Sequence, residues 1–262
     1  MNNIGIRAVN FLKSKDKKRK LYRCSICLQK VDYLSIEGGL GKTLTEAGFP
    51  YSLSDFETLS HKTYTCSNCG SSDRDRLYKL YLENILKGTN SNKIKLLDFA
   101  PSKLLEDYLR SRKDIRYTSA DLFIDGVDDK VDIMDMDIYK DNTFDFFICS
   151  HILEHVKSDA KALQELHRVL KNDGKGILMT PIINKDGIHD EDPSVKNTKE
   201  RWRRFAQDDH IRLYEKKVFI ERVHKAGFKI KPYGYWNLGP MNFIRNGIDF
   251  KSRLYIVTKD QK

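Results

Sequence analysis

From about residue 90 onward the chain alternates short apolar runs with stretches of helical spacing, which is the pattern of an α/β sheet. Ile94–Phe99 (IKLLDF) reads as a first strand. Over 102–112, Leu104, Leu105, Tyr108 and Leu109 share one helical face. Ile115–Ala120 predicts a second strand ending at Asp121, a weaker third falls around 127–133, and Thr143–Cys149 (TFDFFIC) predicts a buried fourth. Residues 158–170 form an amphipathic helix with Ser158 as N-cap and Gly174 beyond its end. Gly176–Thr180 is then a fifth strand stopped by Pro181. Little periodicity marks 185–207, which predicts a long loop or short helices over the sheet edge, and a segment of that length is more often functional than idle. Leu213–Ala226 is helical and closed by Gly227. Phe228–Trp236 and Arg253–Thr258 supply a terminal antiparallel pair, which completes the order of a seven-stranded doubly wound sheet.

Ahead of this lie two C-x2-C knuckles, Cys24/Cys27 and Cys66/Cys69, separated by 38 residues. Each two-residue spacer lets both thiolates turn toward one ion, and two knuckles complete the closed S4 shell of structural zinc. Such a site holds no open position for a reactive water, so it serves folding rather than chemistry. Cys149 falls inside the fourth strand, where a packing role is expected.

With 262 residues and 40% hydrophobic positions, the chain has enough apolar residues for a sizeable core, which excludes collagen-like and wholly disordered classes. No apolar run approaches the roughly 20 residues of a spanning helix, and the short apolar stretch at 4–12 lacks a signal peptide's layout. A cytoplasmic protein with reduced thiols is expected. The net charge of +10 is uneven: residues 1–30 hold nine Lys/Arg against Asp16 alone, 121–145 hold nine Asp against two Lys, and 199–231 hold eleven Lys/Arg against five acids.

In a doubly wound sheet the ligand lies at the carboxyl ends of the strands. Asp98 and Asp121 close the first two strands 23 residues apart, near the spacing at which an acid meets a ribose diol, and Asp132 follows at the end of the third. This row of acids suits a cofactor with a free ribose and a cationic centre. The stretch 144–156 (FDFFICSHILEHV), with 163–174 (LQELHRVLKNDG), resembles the class I S-adenosylmethionine-dependent methyltransferases, of the type 11-like kind, over about residues 93–260. The resemblance implies a Rossmann-like fold and a cofactor site in which Asp98, Ala100 and Pro101 approach the methionine part. Asp121 and Leu122 would hold ribose and adenine, Asp132 and Ile133 flank the adenine, and Ser150, His151 and His155 line the floor. The first turn, 97–103 (LDFAPSK), has no glycine where most of the family has several. A subgroup with an N-terminal cysteine ribbon and a Phe-Ala-Pro turn is similar to this chain. It also carries a Gln-x-Asp-His-x-Arg-x-Tyr segment, here Gln207, Asp209, His210, Arg212 and Tyr214, although Ala206 and Glu215 replace glycines usual there.

Methyl transfer requires alignment and, for a hydroxyl acceptor, removal of a proton, a task suited to histidine. His210, His151 and His155 are the candidates, with Asp209 or Glu154 as orienters. Arg201, Arg204, Arg212 and Tyr214 are candidates for gripping an acceptor, against the plainer reading of a basic surface helix with Trp202 and Phe205 inward. The expected organisation is a basic leader (1–23), a zinc-ribbon-like module (24–72), a linking helix (73–92) and a class I methyltransferase domain (93–262). The expected activity is O-methylation of a small-molecule or glycan acceptor. An RNA base methyltransferase, favoured by the basic leader, and a non-catalytic binding module, favoured by the glycine-free turn, are the rivals.

Overall fold

A computed structural model describes residues 22–86 and 93–260. Most of the basic leader, residues 1–21, lies outside the described residues. Seven strands, numbered here along the chain, form the main sheet: β1 Ile94–Phe99, β2 Ile115–Asp121, β3 Asp129–Lys130, β4 Phe144–Ser150, β5 Leu170–Met179, β6 Phe228–Tyr233 and β7 Leu254–Lys259. Their order is β6-β7-β5-β4-β1-β2-β3, parallel except for β7, which runs antiparallel to both neighbours. The strand order reverses between β1 and β4, so their carboxyl ends open the crevice in which such folds bind ligands.

The longer helices are α1 Asp73–Ile85, α2 Lys103–Ser111, α3 Asp159–Val169, α4 Thr198–Phe205 and α5 Lys216–Lys225. Polar caps fix where the first three begin: Ser72 and Asp75 form a reciprocal capping box, Ser102 Oγ accepts from Leu105 N, and Ser158 Oγ accepts from Lys161 N. Their apolar faces close on β1, β4 and β5, where Leu96, Leu97, Phe147 and Ile177 have no exposure. Gly176 is required there, because a Cβ would meet the Phe147 ring at 2.2 Å.

Three local expectations change. The third strand shrinks to two residues, since its Asp-rich sequence offers little to bury. Strand β5 starts at Leu170, directly where α3 ends, so Gly174 lies within the strand. Residues 212–215 form a strand rather than a helix, held between Ile182–Ile183 (parallel) and Asp190–Glu191 (antiparallel). Burial of both Leu213 and Tyr214 removes the alternation that would have marked it.

The residues between the knuckles do not form a separate bead. Leu44, Phe49, Leu53 and Phe56 share a second core with Ile183, Phe205 and Leu213, which welds residues 44–56 to the segment after β5. Arg76, fully buried on α1, ties the first part together: its guanidinium donates to the carbonyls of Thr63, Tyr64, Ser71 and Asn246 at 2.7–3.1 Å and stacks over Tyr33. Among the described residues no helix is long and apolar enough to cross a membrane.

Candidate active site

Cys24, Cys27, Cys66 and Cys69 converge, all four sulfurs lying within 4.8 Å of one another. The Cys24–Cys69 and Cys27–Cys66 separations are 3.9 and 4.0 Å. A tetrahedral S4 shell with bonds of about 2.3 Å has edges of about 3.8 Å, so the thiols are placed as zinc requires. The residue after each knuckle, Leu28 or Gly70, takes positive φ (62° and 79°), turning the chain back so that backbone N–H groups face the sulfurs. Ser71 Oγ lies 3.3 Å from both Cys24 and Cys69. Cys149 is fully buried in β4, and burial pushes its thiol well up.

At the ends of β1 and β4 a cavity of about 230 Å³ is lined by Asp98, Ala100, Ser150 and His151, with Arg74 and Tyr78 from α1. Asp98 is buried and accepts a hydrogen bond from Tyr117 Oη (2.9 Å). Burial outweighs that bond and lifts its carboxyl to about 7. No cation pairs with it among the described residues, so it is a carboxyl that a cationic ligand would ionise. Ala100 adopts φ 47°, the left-handed conformation that glycine supplies at such turns. The turn thus keeps glycine's backbone path without glycine. Of the other residues expected at the cofactor, Pro101, Asp121, Leu122, Asp132, Ile133 and His155 do not line this cavity. Asp121 Oδ1 accepts from Phe123 N and Ile124 N, shaping the loop beyond β2, and Asp132 Oδ1 accepts from Met134 N.

Arg74 and His151 also line a second, larger cleft of about 440 Å³. Its walls are mainly apolar, with Ile36, Leu40, Leu44, Phe56 and Leu59 from the segment between the knuckles facing Pro181 and Ile182, and His210 and Gln207 at one side. Behind His151 lies Glu154, fully buried, its Oε1 3.1 Å from His151 Nδ1 and 3.9 Å from His210 Nε2 while Oε2 accepts from Thr180 Oγ1. Burial opposes the Glu154 charge, yet the three surrounding histidines hold its carboxyl well below the usual range. Burial, and then the Arg74 guanidinium, push the His151 imidazole down to about 4, so the ring is neutral at physiological pH. His151 takes positive φ (59°), a strained conformation at the junction of the two spaces.

Residues 109–178, spanning the end of α2 through β5, match the family model described as a methyltransferase domain. That segment of the chain is similar to a methyltransferase domain. Two uncharacterized proteins of Methanocaldococcus jannaschii are 48% and 35% identical over 92 and 91 residues, 35% of this chain in each case. The matched parts span 33% and 41% of those relatives. A solved S-adenosylmethionine-dependent methyltransferase from Archaeoglobus fulgidus covers 71% of this chain and 93% of its own at 13% identity and a TM-score of 0.44. The likeness to a methyltransferase domain rests on the matched segment, residues 109–178.

Around this segment the residues expected to grip an acceptor have partners within the protein. Arg212 has no side-chain exposure: it donates to the carbonyls of Leu153, Val156 and Lys157 and pairs with Glu191. It therefore clamps the loop that carries Glu154. Tyr214 is buried and donates to Asp159. Arg204 pairs with Asp190 and Asp192, and Arg201 bonds the carbonyls of Val195 and Asp208. Trp202 and Phe205 turn inward, as the plainer reading of that helix had it. His155 meets Asp209 at 3.3 Å and stands edge-on to His210, ring centroids 4.6 Å apart. Sequence reasoning missed Arg74 and the apolar wall at 36–59. Arg74 sits in the first turn of a capped helix, and only tertiary packing brings either to the site.

Proposed function

We infer that this chain transfers a methyl group from S-adenosylmethionine to a small acceptor held in the 440 Å³ cleft, at an oxygen atom, and that the four cysteines hold a structural zinc ion. The observation that carries the reading is the shared border: His151 and Arg74 line both the cavity at Asp98 and the apolar cleft, so two ligands would meet beside them. The cofactor, when bound, supplies an electrophilic methyl group on a sulfonium. Asp98 would ionise to receive its cationic amino group, Ser150 would bound the methionine part, and Asp121 would meet the ribose.

On the acceptor side, Leu40, Leu44 and Phe56 would exclude water from the apolar body of the ligand. Neutral His151 would accept the hydroxyl proton, with ionised Glu154 stabilising the resulting imidazolium. His210 would hold the acceptor's other face. The apolar cleft favours a small molecule over a glycan, and the ion pairs of Arg204 and Arg212 leave little basic surface beside the cleft for RNA.

Calorimetry with S-adenosylmethionine, followed by a structure with S-adenosylhomocysteine, tests the reading. The expected result is 1:1 binding with the sulfur pointing at His151. No heat at millimolar ligand would favour the non-catalytic binding module instead. Ligand-bound protein in which His151→Ala retains full turnover would remove His151 from the chemistry.

A further inference from the structure

Glu154, His155 and His210 each present a ligand atom, all within 4.8 Å of one another and apart from the cysteine shell, and His210 lines the larger cleft. His210 Nδ1 lies 2.9 Å from the carbonyl oxygen of Phe205. A carbonyl only accepts, so Nδ1 carries the proton and Nε2 exposes a lone pair. That lone pair faces Glu154 Oε1 across 3.9 Å. Oε1 is buried and has no partner of good hydrogen-bond geometry among the described residues, with His151 Nδ1 its nearest polar neighbour at 3.1 Å. Two acceptors, His210 Nε2 and Glu154 Oε1, thus confront one another in a buried site with no donor placed between the two. Such an arrangement is costly unless a cation joins them.

The remaining groups have the form of an outer shell. The Phe205 carbonyl fixes the His210 ring, the Asp209 carboxylate lies 3.3 Å from His155 Nδ1, and Thr180 Oγ1 holds the other oxygen of Glu154. Two imidazoles and one carboxylate form a set for a borderline divalent ion with open positions, rather than for Mg²⁺ or Ca²⁺. The geometry points to a second metal site, in which Glu154, His155 and His210 bind a divalent transition-metal ion of the zinc class. Its open position faces an oxygen of the acceptor. His210 lines the cleft directly, so the ion would draw a hydroxyl or carboxylate oxygen of the acceptor toward it and lower that group's pKa. This use of the ion rests on the methyl-transfer reading, whereas its binding does not.

Cobalt(II) uptake by the full chain tests the site. The chain is stripped and reloaded, metal is counted by elemental analysis, and the thiolate-to-cobalt absorption reports the cysteine shell separately. The expected result is two equivalents per chain, falling to one in His155→Ala and in Glu154→Gln with the thiolate band unchanged. His155 is partly exposed, so its variant retains the core even where Glu154→Gln fails to fold. One equivalent in the wild type, or two in His155→Ala, overturns the proposal. S-adenosylhomocysteine binding is measured on the same samples. Binding with one equivalent removes only the second metal, and two equivalents without binding remove only the methyl-transfer reading.

Discussion

Cofactor binding should release a proton, because Asp98 is a buried carboxyl held at about 7 by desolvation in the ligand-free protein. A cationic amino group arriving at its cavity favours the ionised form, so binding must displace the proton wherever the site is protonated. With a pKa of about 7, the carboxyl is about 90% protonated at pH 6, and the linkage factor grows from about 2 at pH 7 to about 100 at pH 5. Affinity for S-adenosylmethionine should therefore fall about 50-fold over that interval, roughly 2.3 kcal/mol. The ligand's own α-amino group titrates above this range, near 8, and does not confuse the comparison. The sign for stability is the opposite. Since the folded pKa lies above the unfolded value of about 3.8, the stability this group contributes is complete below 3.8 and is lost as pH rises through 7. The cofactor should therefore raise the melting temperature more at pH 7 than at pH 5. Titration calorimetry at pH 6 in two buffers of different ionisation enthalpy should report about 0.9 protons released, and Asp98→Asn should bind weakly with no pH slope. A flat affinity between pH 5 and 7 with buffer-independent heats would refute the reasoning.

Further consequences concern packing and the acceptor side. Ala100 and Ala206 hold φ of 47° and 67°, so glycine at either should raise the melting temperature, by about 1 kcal/mol of stability each, the reverse of the usual alanine preference; a fall at both would refute it. Arg76→Met leaves four carbonyls without their donor, two of them in buried contacts, and should cost about 3 kcal/mol or more in urea denaturation, whereas a change below about 1 kcal/mol would show that water replaces the guanidinium. Arg204→Ala removes an ion pair outside the cleft, so acceptor KM should stay within about twofold and stability should fall by about 1 kcal/mol or less; a large rise in KM would return this arginine to the acceptor.

Local signals in the chain carried far. Strand β1 and helices α2 and α3 start or end where the apolar runs and the Ser102 and Ser158 caps place them, and the knuckle spacing anticipated the meeting of four thiols. What stayed hidden depends on distant partners. Residues 36–59 have no strong periodicity, and their function as a wall arises from packing on 182–213. Glu154 is legible as a possible orienter of a histidine, but the gathering of Thr180, His151 and His210 around it depends on distant packing. Arginines 204 and 212 looked free because nothing local reveals Asp190 and Glu191 as partners. The missing glycines misled in a different way, since two alanines accept the conformation glycine would have taken more easily.

The apolar wall of the acceptor cleft is drawn from residues 36–59, whereas the family segment covers 109–178. The wall proposed for the acceptor and the family-like segment thus lie on separate stretches of one chain. Substitution or grafting between the cysteine knuckles can retune what is accepted while the floor of the sheet stays untouched. The thiol shell then anchors both ends of an exchangeable cassette, much as a framework anchors a variable loop.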